Sequence, residues 1–264
     1  MKKIFYIHIY SNNCKWDLYI NDIIANFNEE STVINTTLGI NQYLLESGDQ
    51  SIKIKIHPKE GQLFLDLYTS FKLTLSSEDN DSGEEKIELS YVIPEQNGKL
   101  PLLEFDNTFK ANFEYNLSLK NFSEIKVTND LMNKVKSQFD TLINSINSDN
   151  EKGYMEIYKI FLDRRHTTYF STNEERQRDL MKESLSEFKK EIFDIEFLPI
   201  QSNSKLVLFH QNKIVALEQI NSITKKKFYG IAYRAKFKND NSICQGTLNL
   251  MFCEQKNNNQ LVTF

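Results

Sequence analysis

The hydrophobic period of the chain changes inside the stretch NFSEIKVTNDLMNKVKSQFDTLINSIN, residues 121–147. From Thr128 onward the apolar residues recur every three or four positions, which predicts an amphipathic helix. Its buried positions are expected to be Leu131, Val135, Phe139, Leu142 and Ile146. Before this stretch the apolar residues recur at every second position, which is typical of half-buried antiparallel strands. The change of period therefore predicts an α+β chain that divides near its middle.

Residues 1–123 are predicted to form an antiparallel β-sandwich. Period-two runs occur at 4–10, 14–20, 52–56, 62–75, 86–93 and 107–119. The alternation predicts a core that contains Trp16, Leu18, Ile54 and Ile56. The segment Ile40–Gly48 departs from this pattern, and we expect one or two helical turns there that end at Gly48.

Residues 124–264 are predicted to contain three helices followed by a meander of long strands. A second helix follows the polar residues before Gly153, and a third begins at a capping box in the string STNEER, residues 171–176. We expect the third helix to bury Leu180, Leu185, Phe188 and Ile192. Strands are predicted at 195–200, 205–209, 213–220, 227–238 and 243–253.

Composition and charge exclude several classes of protein. The chain has 264 residues, of which 40% are hydrophobic and 26% charged, and its net charge of −4 gives no general electrostatic reason to bind nucleic acid or an anionic membrane. Residues 1–123 hold 11 basic and 18 acidic residues, a balance of −7, whereas residues 124–264 hold 21 and 18, a balance of +3. The apolar runs are too short for a transmembrane helix, and three scattered cysteines without an export signal predict a reducing cytoplasm.

Residues that could carry chemistry are dispersed. No GxSxG, GxGxxG or P-loop motif occurs, and the four histidines lack zinc-ligand spacing, so we predict no catalytic residue, no metal and no cofactor. The string DRRHTTYF, residues 163–170, combines two guanidinium groups with a possible base, but cations at a helix C-terminus also interact with its dipole, which is the simpler interpretation. The basic, aromatic residues 225–238 divide between the two faces of a strand, which favours a half-buried strand over an RNA platform.

An acidic turn joins two of the predicted strands. Its carboxylates are either a solvated hairpin loop or a surface that docks a basic partner. The candidate partner-binding residues are Asp79, Asp81, Glu84 and Glu85.

Two strings carry a family resemblance. NNCKWDLYIND, residues 12–22, and GINQYLLESGDQSIKIKIHPKEG, residues 39–61, resemble the N-terminal β-domain of bacterial proteins encoded beside type VI secretion and Rhs-type polymorphic toxins. In such pairs the neighbour of the toxin is taken to be its immunity protein. The order of elements in residues 124–264 is similar to the NTF2-like cone, in which three helices precede a curved antiparallel sheet.

The resemblance implies a cytoplasmic, non-enzymatic immunity protein that neutralises a cognate protein toxin by tight binding and active-site occlusion. The NTF2-like order implies an alternative, a small-molecule-binding or enzymatic domain with an attached β-sandwich, in which His210 and Tyr233 would be available inside the cone. We expect neither nucleic acid nor a membrane as partner, and the oligomeric state stays open.

Overall fold

The alternating residues in the first half of the chain form eight strands in two antiparallel sheets. The computed structural model describes residues 2–95, 99–221 and 224–264. The strands are β1 (Lys3–Asn12), β2 (Cys14–Ile20), β3 (Ile23–Asn28), β4 (Ile34–Gly39), β5 (Gly48–Pro58), β6 (Ser70–Asp79), β7 (Glu85–Val92) and β8 (Leu103–Ala111). One four-stranded sheet has the order β4-β1-β6-β7, and the other has the order β3-β2-β5-β8.

Contacts within the chain divide it into two compact units. Unit 1 comprises Met1–Ser118 and Thr167–Phe170, and unit 2 comprises Leu119–His166 and Ser171–Phe264. The domain boundary predicted between residues 123 and 124 stays a prediction.

The two sheets of unit 1 share one hydrophobic core. Successive side chains of a strand point to opposite faces, so β1 places Phe5, Ile7 and Ile9 on the core side. The second sheet contributes the residues predicted from the sequence, and all of them are buried, which confirms that prediction: Trp16, Leu18, Ile54 and Ile56.

Trp16 is the largest fully buried side chain of the protein among the described residues. Its indole Nε1 donates a hydrogen bond to Ser11 Oγ at 3.0 Å, so burial leaves the polar end of the ring satisfied. The ring meets Phe71 of the facing sheet edge-on, with centroids 6.4 Å apart. One side chain thus connects strands of both sheets.

Three predicted elements of unit 1 differ from the structure. The strand expected at 62–75 begins only at Ser70, and the strand expected at 107–119 ends at Ala111. The helical turns expected in Ile40–Gly48 shrink to one 3-10 turn, Asn41–Tyr43. The reason is the Asn41 side chain, whose Oδ1 accepts the N–H of Phe5 at 2.7 Å and so ties this segment to β1.

The described residues contain four α-helices: α1 (Asn129–Asn147), α2 (Glu151–Thr168), α3 (Asn173–Lys182) and α4 (Leu185–Phe188). The Thr128 side chain accepts the N–H of Leu131 at 3.1 Å and caps α1. All five predicted core positions of α1 are buried. The capping box expected in STNEER is formed by Thr172 and Glu175, and it begins α3.

The third predicted helix is wrong in its second half. It ends at Lys182, and Ser184 caps the separate helix α4 by accepting the N–H of Glu187 at 3.2 Å. Serine and threonine side chains compete with helix hydrogen bonds in this way and favour the start of a new helix. Leu180, near the end of α3, is exposed, and Ile192 is buried as part of a strand instead of a helix.

Seven strands of unit 2 form a curled antiparallel sheet. They are β9 (Ile192–Phe197), β10 (Lys205–Phe209), β11 (Ile214–Ile220), β12 (Lys227–Phe237), β13 (Ile243–Asn249), β14 (Met251–Glu254) and β15 (Leu261–Thr263). The path β13-β12-β11-β14-β15 carries β9 beside β12 and β10 beside β11. Gly230 has φ of 146°, and a Cβ there would meet the Leu248 backbone oxygen, so only glycine allows this approach of β12 and β13.

The α+β prediction is confirmed by this combination of antiparallel sheets and separate helices. Within the part of the chain that the structure describes, no helix has the length and apolar character needed to cross a membrane.

Truncating Trp16 is expected to weaken unit 1 strongly. Trp16→Ala removes a buried ring and leaves a cavity, so the free energy of unfolding should fall by about 3 to 5 kcal/mol, and Trp16→Phe should cost less. Urea unfolding measures both changes. The wild-type emission maximum reports on this single tryptophan, and a maximum typical of an indole in water would contradict the burial.

Candidate functional site

The acidic turn between β6 and β7 is a tight hairpin that Asp79 organises. Asp79 Oδ1 accepts the N–H groups of Asp81 at 3.1 Å and Ser82 at 3.0 Å. These backbone donors, from Ser82 and then Asp81, lower the pKa of Asp79 below its ordinary value. Asp79 therefore has a structural role in forming the turn.

The other three predicted partner-binding carboxylates, those of Asp81, Glu84 and Glu85, are exposed on the same hairpin. Asp81 Oδ1 lies 3.7 Å from Lys2 Nζ, an exposed pair in which solvent screens the attraction. We use the name acidic hairpin for Asp79, Asp81, Glu84 and Glu85. The structure places them together on one turn, and their role in binding a partner stays a prediction.

A second feature of unit 1 is the loop of residues 59–69 between β5 and β6. Four large apolar side chains are exposed on it: Leu63 (80%), Phe64 (45%), Leu67 (67%) and Tyr68 (80%). Single exposed apolar residues are common, but a contiguous group is typical of a surface that binds a partner. We call these four residues the apolar quartet.

The base of the 59–69 loop is anchored below the apolar quartet. Leu65 is fully buried, and its N–H donates to the Leu100 backbone oxygen at 2.8 Å. Asp66 accepts hydrogen bonds from Asn13 Nδ2 at 2.7 and 2.6 Å. The quartet is therefore exposed on a loop that hydrogen bonds tie to Asn13 and Leu100.

The pairing of β1 with β6 determines where the loop and the hairpin lie. The two strands pair from Lys3 opposite Asp79 to Asn12 opposite Ser70. The 59–69 loop leads into Ser70 and the acidic hairpin begins at Asp79, so they occupy opposite ends of β6. At the usual rise per residue, the ends of this strand are about 30 Å apart.

Other exposed apolar side chains share the end of unit 1 that carries the 59–69 loop. Tyr10 and Val92 both lie opposite Lys72, close to the Ser70 end of β6. Among the described residues of unit 1, Ile87 is the single exposed large apolar side chain that lies at the other end. We define the apolar end of unit 1 as the apolar quartet together with Tyr10, Val33, Val92 and Leu100.

This surface is hidden in the sequence because Leu63, Leu65 and Leu67 alternate with other residues as in a strand. Only Leu65 of these three is buried. The signal for a loop is Asp66, whose carboxylate accepts the N–H of Tyr68, two residues later, at 2.9 Å. Aspartate favours such turns, and this local bond ends the extended pattern.

His166, in the string singled out from the sequence, is a buried side chain of unit 2. Neither ring nitrogen has a hydrogen-bond partner among the described residues, and Nδ1 lies 3.9 Å from Asp179 Oδ2. Burial lowers the pKa of His166, with Asp179 acting in the opposite sense. Arg165 bonds Glu183 at 2.9 Å, so this cluster links α2 with the end of α3.

Cys14, Cys253 and the two residues expected inside the cone, His210 and Tyr233, lie in different elements of the chain. Burial raises the pKa of the Cys14 and Cys253 thiols to about 12, so both are poor nucleophiles. His210 lies in the turn after β10 with φ of 45°, and Tyr233 lies in β12 against Phe188 and Phe197. In the ranges that the structure describes, no group of three or more His, Cys, Asp or Glu residues is placed to hold a metal ion.

The predicted division of faces in the basic, aromatic strand is wrong for its first part. In β12 all residues from Phe228 to Ala232 are buried, so neither face of this part of the strand is solvated. Farther along, Tyr233, Arg234 and Lys236 are half-buried and Phe237 is exposed.

Unit 2 has an open cleft of about 590 Å³ between α1 and β9. Apolar residues, among them Ile143, Phe197 and Ile231, line it. Lys136 and Asp140 of α1 and Glu196 of β9 supply charged groups. The volume of the cleft is typical of small-molecule sites. So is its lining, which is mostly apolar with a few polar groups.

Comparisons of the chain with protein families, with curated proteins and with solved structures found no match.

The burial of His166 predicts acid-sensitive stability. Its pKa in the folded protein is below the ordinary value of 6.5, so the unfolded chain takes up the proton first and stability is lost as the pH falls below that value. Between about pH 7 and pH 5, His166→Leu should remove part of the pH dependence of the free energy of unfolding, up to about 1.4 kcal/mol per pH unit. His8→Leu, at an exposed histidine, is the control, and an equal effect of both variants would contradict this assignment.

Proposed function

We propose that this protein is an immunity protein that binds a cognate antibacterial toxin and occludes its active site. The observation that carries the proposal is the apolar end of unit 1, where eight large apolar side chains are exposed together. A surface of this kind is unfavourable in water and is typical of a site that a protein partner covers. The resemblance of residues 12–22 and 39–61 to immunity-type proteins suggests the class of partner.

Neutralisation by occlusion depends on shape and burial at the interface. Leu67 and Tyr68 are among the most exposed apolar residues of the protein, and tyrosine is enriched among the residues that dominate binding energy. This mechanism uses no catalytic residue, metal or cofactor of the chain. We place it in the cytoplasm, where an arriving toxin would act.

The proposal includes finer assignments of fold. Two four-stranded sheets that share one core support a β-sandwich for unit 1. Helices that precede a curled antiparallel sheet support an NTF2-like domain for unit 2.

Removing two exposed apolar side chains of the quartet, Leu67 and Tyr68, is expected to weaken toxin binding. Replacing Leu67 and Tyr68 together by serine should reduce affinity about 30-fold or more, since the loss of central anchors typically costs about 2 kcal/mol or more. Because both side chains are exposed, the free energy of unfolding should change little. The measurements are survival on co-expression with the product of the adjacent gene, and affinity between the purified proteins.

Two further variants locate the interface. Met181→Ser with Ile243→Ser removes equally exposed apolar groups from unit 2 and should leave protection unchanged. Changing Asp81, Glu84 and Glu85 to lysine should slow association in a salt-dependent way. These charges lie about 30 Å from the apolar end, so they would act on the rate of encounter and not on contacts in the interface. Protection that is lost on charge reversal and retained in the serine variant would show that the acidic hairpin, and not the apolar end, docks the toxin.

A second candidate function, small-molecule binding, is favoured by the cleft of unit 2. Its apolar lining and its charged groups suit an amphipathic ligand. Under this hypothesis unit 2 is an NTF2-like ligand-binding or enzymatic domain that carries the β-sandwich as an attachment.

The cleft hypothesis predicts binding of an amphipathic probe. Anilinonaphthalene sulfonate should increase in fluorescence with the wild-type protein, and Ile143→Trp should reduce the increase by obstructing the cleft. Under the immunity proposal the same variant should still protect against the toxin. A folded Ile143→Trp variant that binds the toxin normally but no longer protects would favour the ligand-binding or enzymatic function.

A further inference from the structure

We infer that the 59–69 loop enters an apolar pocket of a basic protein partner as a pre-formed wedge, and that Asp66 is the positioning residue that keeps the wedge in shape. The inference rests on the proposed function, since it takes a protein toxin as the partner. It adds how the loop binds, the chemistry of the surface that receives it, and a residue that acts without contacting the partner.

Asp66 is the centre of a hydrogen-bond network below the apolar quartet. Its carboxylate accepts two hydrogen bonds from Asn13 Nδ2, at 2.6 and 2.7 Å. It also accepts one from the backbone N–H of Tyr68 at 2.9 Å and one from the Thr69 hydroxyl at 3.3 Å. Lys59 Nζ lies 3.3 Å from the same carboxylate and donates to Asn13 Oδ1 at 2.8 Å. The network thus joins the first and last residues of the loop to the β1–β2 turn.

The charge state of Asp66 is consistent with this role. Partial burial of the carboxylate would raise its pKa, but the Tyr68 N–H, Lys59 and Asn13 outweigh it, so the pKa lies below its ordinary value. The carboxylate therefore stays ionised near neutral pH, where it is the strongest acceptor for these donors.

Anchoring the loop lowers the entropic cost of binding. A free loop loses backbone and side-chain freedom when it docks, which reduces affinity. Here Asp66 holds one side of the loop, and the buried Leu65, bonded to the Leu100 backbone oxygen, holds the middle. The apolar quartet is consequently presented in one arrangement before a partner arrives.

Charge and shape define the partner. Residues 1–118 contain 10 lysines, no arginine and 18 acidic residues, so this part of the chain has a net charge of −8. Such a field attracts a basic protein and accelerates its association. The quartet itself is uncharged and exposed on a loop, which suits a concave apolar pocket. We therefore expect a basic protein whose apolar cleft receives Leu63, Phe64, Leu67 and Tyr68.

The decisive variant leaves the apolar quartet intact. Asp66→Ala is expected to reduce affinity for the purified product of the adjacent gene about 10-fold, because only a fraction of the free loops would then have the binding conformation. Asp106→Ala is the matched control, since it removes the same charge from an exposed carboxylate 3.5 Å from Lys53. It should change affinity less than about 2-fold.

Hydrogen exchange separates positioning from a general loss of stability. The Tyr68 and Thr69 amides should exchange faster in free Asp66→Ala than in the free wild type, and should become protected again in the complex. Amides of the β1–β6 ladder should be unchanged. Asp66→Asn keeps an acceptor oxygen for the Tyr68 N–H and should recover part of the affinity.

The outcomes distinguish this inference from the proposed function. Unchanged exchange in Asp66→Ala, or faster exchange with wild-type affinity, would show that Asp66 does not pre-form a binding wedge, while the immunity function would stand. A complex whose affinity survives serine at Leu67 and Tyr68 would place the interface elsewhere. The absence of a complex even with the wild-type protein would overturn the proposed function and the inference together.

Discussion

The antiparallel pairing of β1 with β6 is the constraint that sets the functional layout of unit 1. It runs from Lys3 opposite Asp79 to Asn12 opposite Ser70 and so fixes which loops share an end. A slip of one residue would turn Phe5, Ile7 and Ile9 away from the core, so the register is strongly specified. The separation of the apolar end from the acidic hairpin is thus a consequence of core packing.

This separation bears on how a partner can bind. A standard interface buries about 800 Å² on each partner, a patch roughly 30 Å across, so a docking site centred on the 59–69 loop would place the acidic hairpin at or beyond its rim. Charges at that distance act mainly on the rate of encounter. Under the proposed function the two surfaces would therefore have different physical roles, the apolar end in the interface and the acidic hairpin in the rate of encounter.

Much of the fold was predictable from the periodicity of the apolar residues alone. Trp16 and the buried face of α1 follow directly from the spacing of apolar residues. The errors arose where one polar side chain redirects the backbone: Asn41 limits a helix to one turn, and Ser184 begins a new helix. Hydrogen bonds of this kind depend on which groups lie nearby in the fold, so periodicity does not reveal them.

The candidate site was less predictable, for a related reason. The acidic hairpin was visible as a cluster of like charges, whereas the apolar quartet was hidden in an alternation that resembles a strand. Only the geometry of Asp66 and Leu65 shows that the loop is tied down with its apolar groups outside. A sequence pattern shows which residues alternate, but it does not show which face another part of the chain covers.

Folding explains one of the two surfaces and leaves the other without a structural reason. Asp79 shapes its turn through backbone hydrogen bonds, so an acidic residue there is needed for the hairpin itself. Leu63, Leu67 and Tyr68 are largely exposed and therefore bury little apolar area in the core. Their anchors, Leu65 and Asp66, would hold the loop equally well under polar side chains. Exposing these groups to water is unfavourable, and under the proposed function burial against a partner would remove that cost.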